Sequence, residues 1–211
     1  MPIGLLGKKL GMTQIFDASG ALIPVTIVQA GPCTVIAKRE QEKDGYQALA
    51  LGFGEQKESR LTKPELGQFK KVGVAPCSVI REFRTEDDAT SNSLNAGETL
   101  DVKLFEEGER VDVIGTSKGR GFQGTIKRHN AAPGPKTHGS MYHRRTGAGG
   151  ASSDPSRTFK GKIMPGHMGV ERVTTGNVQI VKRDTKNNLL YIKGSVPGHN
   201  NSVVMVRKRT K

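Results

Sequence analysis

Short β-branched or alternating runs, separated by turn residues, dominate both ends of this chain. Residues 22–29 (L-I-P-V-T-I-V-Q), 33–38 and 46–53 predict strands, bounded by turn material at 17–20, 30–32 and 44–45. Further strands are predicted at 79–84, 99–102 and 111–115. One helix is predicted over 62–72, where Thr62-Lys-Pro-Glu65 has capping-box spacing with an early proline and Gly73 supplies a stop. Near the C-terminus, 177–182 and 189–193 flank the turn 184–188 as a hairpin, and 202–207 is a last short strand. Many short strands with Gly and Pro turns favour a compact barrel over a doubly wound sheet.

Between 115 and 169 this pattern stops. No Leu occurs between Leu104 and Leu189, and no Val between Val113 and Val170. Such a stretch buries too little apolar surface to offset the entropy of ordering itself. The reading is therefore mainly β: residues 1–114 and 170–211 form a barrel domain, closed by strands from both sides of an inserted segment, 115–169. The fold class is a β-barrel with one or two short helices and a long, irregular basic extension.

Charge sharpens this division. The inserted segment holds Lys118, Arg120, Lys127, Arg128, Lys136, Arg144, Arg145, Arg157, Lys160 and Lys162 against the single acid Asp154, which is +9 of the formal +13 of the 211-residue chain. A concentrated basic stripe points to a polyanion, and nucleic acid is the first partner to consider. Phe122, Ile126, Tyr142, Phe159, Ile163, Met141, Met164 and Met168 punctuate the segment and offer packing points against bases. Its centre, Arg144-Arg-Thr-Gly-Ala-Gly-Gly-Ala-Ser-Ser153, has the small residues that a tight reversal needs. Limbs of about 25 residues set an upper bound on reach near 80 Å, at roughly 3.3 Å per residue.

Gly119-Arg-Gly-Phe-Gln-Gly124 fits G-x-G-x-x-G, yet a dinucleotide site also needs a strand running directly into the turn, a full helix, and an acid about 20 residues on. Here Thr116-Ser-Lys118 intervenes, Pro133-Gly-Pro135 halts any helix beyond Asn130, and the next acid is Asp154. Glycines that let the backbone approach phosphates are the simpler reading, with Lys118 and Arg120 supplying charge. Four of the five histidines, His129, His138, His143 and His167, lie in the segment at irregular spacings, which suit contacts to RNA rather than a metal. Cys33 and Cys77 show no metal spacing or disulfide framework, and two reduced thiols are expected. No apolar run approaches bilayer-spanning length and no signal-peptide core is visible, so a cytoplasmic, non-membrane protein is expected. The acidic run Glu86-Asp-Asp88 reads as a solvated loop.

The spaced pattern Phe105-x6-Asp112-x2-Gly115-x-Ser117-x-Gly119-Arg120-Gly121-x2-Gly124-x3-Arg128 resembles that of the universal large-subunit ribosomal protein L-three family. Gly4-Leu-Leu-Gly-Lys-Lys-Leu-Gly-Met-Thr-Gln-Ile-Phe16 is similar to the bacterial N-terminus of that family, and Phe159-Lys-Gly-Lys162 with Gly166-His-Met-Gly169 to the return limb of its loop. The resemblance implies a barrel of the translation-protein type on the solvent side of the large subunit. A looped extension would thread into 23S-type ribosomal RNA, come near the peptidyl transferase centre and bind early in assembly. Ribosomal proteins L-fourteen and L-nineteen would be neighbours.

Carried over, the RNA contacts are Lys8 and Lys9 in the opening segment; Lys118, Arg120, Lys127, Arg128 and His129 on the inner limb; Lys136, His138 and His143 beyond it; and Arg157, Lys160, Lys162 and His167 on the return. Arg144, Arg145, Thr146, Gly147, Ala148, Gly149, Gly150, Ala151 and Ser152 form the tip. Some bacterial members carry a methylated glutamine near that tip; Ala151 stands about there, so no such modification is expected. No catalytic residue, cofactor, metal or small-molecule substrate is implied. The competing classes are a nucleotide-dependent enzyme using Gly119 to Gly124, and a basic chaperone without preference for ribosomal RNA.

Overall fold

A computed structural model describes residues 3–85 and 94–209; Glu86, Asp87 and Asp88 lie outside them. The chain divides into two compact units, Met1–Thr116 with Arg172–Lys211, and Ser117–Glu171.

In the first unit, six antiparallel strands close a barrel in the order β1 (Gly4–Phe16), β12 (Val203–Lys208), β7 (Arg110–Thr116), β10 (Arg172–Asp184), β11 (Leu189–Lys193), β2 (Leu22–Ala30). The mainly-β barrel expected from the pattern is present, and strands from both sides of the basic segment close it. Period-two alternation fills the interior: Leu5, Val28, Val111, Val113, Ile180, Leu190, Ile192, Val204 and Val206 are all buried. β1 has no counterpart among the predicted strands, because its glycines and lysines mask the alternation.

The expectation of one barrel needs correction for four other strands. β3 (Cys33–Arg39), β4 (Ala48–Glu55), β5 (Cys77–Arg84) and β6 (Thr99–Leu100) form a separate antiparallel sheet, ordered β5-β4-β3-β6. β4 is buried from Ala48 through Gly52, so both its faces are covered. A Cβ at Gly52 would fall 2.6 Å from Ile36 Cδ1 and 2.8 Å from Cys77 Sγ, which is why the strand ends its buried run on a glycine. Leu49, Leu51, Val35 and Phe83 of this sheet share one apolar cluster with Leu5, Leu6 and Val206 of the barrel. The barrel wall is thus a core face on both sides, which turn spacing alone does not reveal.

Short helices complete the unit. α1 (Gln41–Asp44) is a single turn, and α2 (Lys63–Val72) matches the predicted helix. Glu65 accepts hydrogen bonds from the Thr62 N–H and Oγ1, both at 2.8 Å, and these hold its carboxyl below the usual carboxylate range. Gly73 ends the helix in the left-handed region, and Phe69 is its buried side chain. The strand predicted over 99–102 is shorter, Thr99–Leu100, and Val102 instead opens a 3-10 turn, Val102–Leu104.

Cys33 and Cys77 are free thiols. Burial pushes the Cys33 thiol up to about 12, and its Sγ donates to the Leu6 carbonyl at 3.3 Å. The unfolded chain therefore loses this proton first as pH rises from about 9, so stability falls through the window from 9 toward 12. Denaturant titrations should show the native chain losing about 1 kcal/mol more than Cys33→Ala between pH 8 and pH 10. Parallel pH profiles for the two proteins would contradict that burial.

Candidate nucleic-acid interface

Ser117–Glu171 is built on two chain limbs that touch through glycines. The Ser117 N–H donates to the Glu171 carbonyl at 2.9 Å, and the Glu171 N–H returns to Ser117 Oγ at 3.2 Å. The Arg120 N–H donates to the Met168 carbonyl at 2.9 Å. β8 (Gly121–Gln123) then pairs antiparallel with β9 (Gly166–Met168). Two glycines permit this approach. A Cβ at Gly169, where φ is +82°, would fall 2.2 Å from the Lys118 carbonyl oxygen, and one at Gly119 would fall 2.9 Å from Val170 Cγ2. Val170 itself has φ 55°, an unusual conformation for a β-branched residue.

The G-x-G-x-x-G glycines therefore shape an antiparallel hairpin neck. Gly119 admits Val170, Gly121 turns at φ +67°, and Gly124 is the N-cap of α3 (Thr125–His129). A dinucleotide turn runs from a parallel strand into a full helix; the arrangement here has the opposite strand sense and a five-residue helix. Lys127, Arg128 and His129 occupy its last turn, where the helix dipole favours cations, and Asn130 caps it at φ 56°. Arg128 does more than carry charge. Its Nη1 donates to the Met164 carbonyl at 3.0 Å, and a Cβ at Gly166 would fall 2.7 Å from that nitrogen. Arg128 thus clamps the inner limb to the return limb, a role its basic neighbours in the sequence concealed.

Beyond α3 the chain continues without regular structure until β9. Gly134 N–H donates to the His143 carbonyl at 2.8 Å, and the Tyr142 ring lies so close that a Cβ at Gly134 would fall 2.3 Å from its Cδ1. Arg145 N–H donates to the Tyr142 carbonyl at 2.9 Å. On the return, the Arg157 guanidinium lies 5.3 Å from the Phe159 ring centroid.

Thr125 is the one residue of this unit that is buried, so the unit has no apolar core. Phe122 is 75% exposed and Met141 77%, with Phe159, Ile163 and Met164 also exposed. Lys118, Arg120, Lys127, His129, Lys136, His138, His143, Arg144, Arg145, Arg157, Lys160, Lys162 and His167 are all exposed, and Arg128 is half-buried. The tip residues Arg144, Arg145, Thr146, Gly147, Ala148, Gly149, Gly150, Ala151 and Ser152 are exposed as well. Among the described residues, none of the ion pairs involves a cation of this unit.

The two N-terminal candidates belong to the other unit, and they part company. Lys8 is half-buried and lines a groove with Gln29, Asn201 and Val203. Lys9, expected among the RNA contacts, is buried. Alternation along β1 places it inward with Leu5 and Gly7, opposite Val28, and it is 7% exposed. Its Nζ donates to the carbonyls of Val196 at 2.8 Å and Gly198 at 3.1 Å, tying the loop before β12 to the barrel.

A family model described as Ribosomal protein L3 matches residues 86–186, a range that contains all of Ser117–Glu171 and the strands on either side of it. Over this range the match supports the ribosomal protein L3 family. That family is a structural component of the large ribosomal subunit, which binds ribosomal RNA and lies among other ribosomal proteins. Among the described residues, no helix is long and apolar enough to cross a membrane.

Gly169→Ala tests the neck. The added methyl meets backbone on the facing limb at a positive φ, so the limbs must part. Hydrogen exchange at the Ser117 and Arg120 amides is expected to accelerate at least tenfold, with the Val113 amide of β7 unchanged; equal protection at all three would contradict the contact. Lys9→Ala is expected to lose about 2–3 kcal/mol of stability, since two buried carbonyls lose a donor and a void opens. The salt dependence of its RNA binding should match the native chain, and a shallower slope would restore Lys9 to the phosphate contacts.

Proposed function

We propose that Ser117–Glu171 is the RNA-penetrating part of this L3-family protein. It takes up 23S-type ribosomal RNA early in subunit assembly, and Arg144 to Ser152 support the RNA near the peptidyl transferase centre. The protein works in the cytoplasm as part of the ribosome, with ribosomal proteins L-fourteen and L-nineteen as neighbours. The observation that carries this reading is an exposed, coreless unit with eight surplus positive charges and no internal ion pair among its described residues.

Physical chemistry supplies the mechanism. Packed RNA phosphates repel one another, and each cation inserted among them releases a condensed counterion. The paired neck and the Arg128 clamp order the base of both limbs beforehand, so less conformational entropy is lost on binding. Exposed Phe122, Tyr142 and Phe159 offer faces on which bases can stack. No step of this requires a reacting group; the cations and glycines act by occupying space between phosphates and neutralising them.

The strand register provides a clean test. Thr116 and Arg172 are paired neighbours on β7 and β10, so Ser117–Glu171 can be replaced by an Asn-Gly turn. That variant is expected to keep a cooperatively folding barrel. If about eight cations of the native unit contact phosphates, its log-affinity against log-salt slope is roughly −6 to −7, and in the variant the slope should fall to about −2 or shallower. Undiminished binding of large-subunit ribosomal RNA by the folded variant would overturn the assignment.

A further inference from the structure

The outer wall of the barrel carries a cleft that the basic segment does not explain. Val111, Val113, Val204 and Val206 point inward and are buried, so alternation sends Asp112, Ile114, Met205 and Arg207 outward. They stand in register, Arg207 opposite Asp112 and Met205 opposite Ile114, and Arg172 follows in the same row opposite Thr116. The end of β5 lies over this wall: a Cβ at Gly4 of β1 would fall 2.7 Å from Phe83 Cε1. The result is a cleft of about 410 Å³ with Phe83, Ile114 and Met205 as its apolar lining and Arg84, Arg172 and Arg207 around it.

Among the described residues, two acids beside the cleft, Glu82 and Asp112, already have partners. Glu82, on the cleft's edge, accepts from Arg39 Nε at 3.1 Å and from the Tyr46 hydroxyl at 2.8 Å. Asp112 accepts from the Asn177 N–H at 3.0 Å and pairs with Arg207 at 3.2 Å. Arg84 and Arg172 are exposed, and among the described residues neither has a carboxylate in ion-pair contact. Arg84 is held instead by stacking 5.3 Å from the Tyr46 ring centroid. Among the described residues the cleft therefore keeps two guanidinium groups that no carboxylate holds in an ion pair. Guanidinium groups match phosphate oxygens in pairs, and the half-buried Met205 offers an apolar contact to a ribose or base.

We propose that this cleft is a second RNA site, on the globular unit, which seats a phosphodiester of the same ribosomal RNA on Arg84 and Arg172, with its sugar or base against Met205. It rests on the RNA-binding reading of the chain and adds a footing outside the basic segment.

Two full-length variants of equal charge test it: Arg84→Gln/Arg172→Gln in the cleft, and Lys186→Gln/Lys193→Gln at exposed positions elsewhere on the same unit. Dissociation constants for transcribed large-subunit ribosomal RNA are measured across a potassium chloride series. The cleft variant should bind about tenfold more weakly near 0.15 M salt, with a slope shallower by roughly 1 to 2, and the lysine variant within about twofold of native. Equal losses in both variants, or none in the first, overturn the site. Should the double variant fail to fold, Arg172→Glu alone is expected to reproduce the loss. RNA binding left intact while polyglutamate binds the native chain and not the cleft variant would reassign the cleft to an acidic protein segment. Failure of the native chain to bind this RNA would instead sink the RNA-binding reading itself.

Discussion

The pairing of β7 with β10 links residues far apart in sequence, from Arg172 opposite Thr116 to Gln179 opposite Arg110. This ladder closes the barrel and returns the chain, after a 55-residue excursion, to the strand next to the one it left. Closing a loop of that length carries an entropic penalty that grows only logarithmically, so a well-packed barrel can bear it. Asp112 reinforces the closure. Its carboxylate takes the Asn177 N–H at the register shift in β10 and Arg207 of β12, linking three adjacent strands through one side chain.

Stability and charge are thereby kept in separate places. Apolar burial is concentrated in the unit formed by Met1–Thr116 and Arg172–Lys211, while eight of the thirteen surplus charges sit in the basic stretch between its halves. Like charges that close would repel one another in a packed core, but in an exposed unit they are screened until phosphates arrive. The glycines of the neck follow from the same economy of space. They let two limbs lie in backbone contact without side chains between them, leaving cations and aromatic rings exposed.

Much of this was legible residue by residue. The strands over 22–29, 79–84 and 111–115 and the helix over 62–72 follow from local periodicity and caps, because those signals arise within a few residues of chain. β1 was not legible by composition, yet Leu5, Gly7 and Lys9 share one face, and parity alone would have turned Lys9 inward. Arg128 looked like one more phosphate contact; only the return limb, 36 residues away, shows it to be a clamp.

By itself, the order of residues determined that the chain is mostly strand, that a coreless basic stretch interrupts it, and that this stretch suits a polyanion. These properties depend on neighbours in the chain: alternation, turn chemistry and local charge density. The tertiary structure decided which strands share a sheet, which lysine enters the barrel, and which arginines gather on its outer wall. Those outcomes turn on register between distant strands, where a shift of one residue exchanges the inner and outer faces.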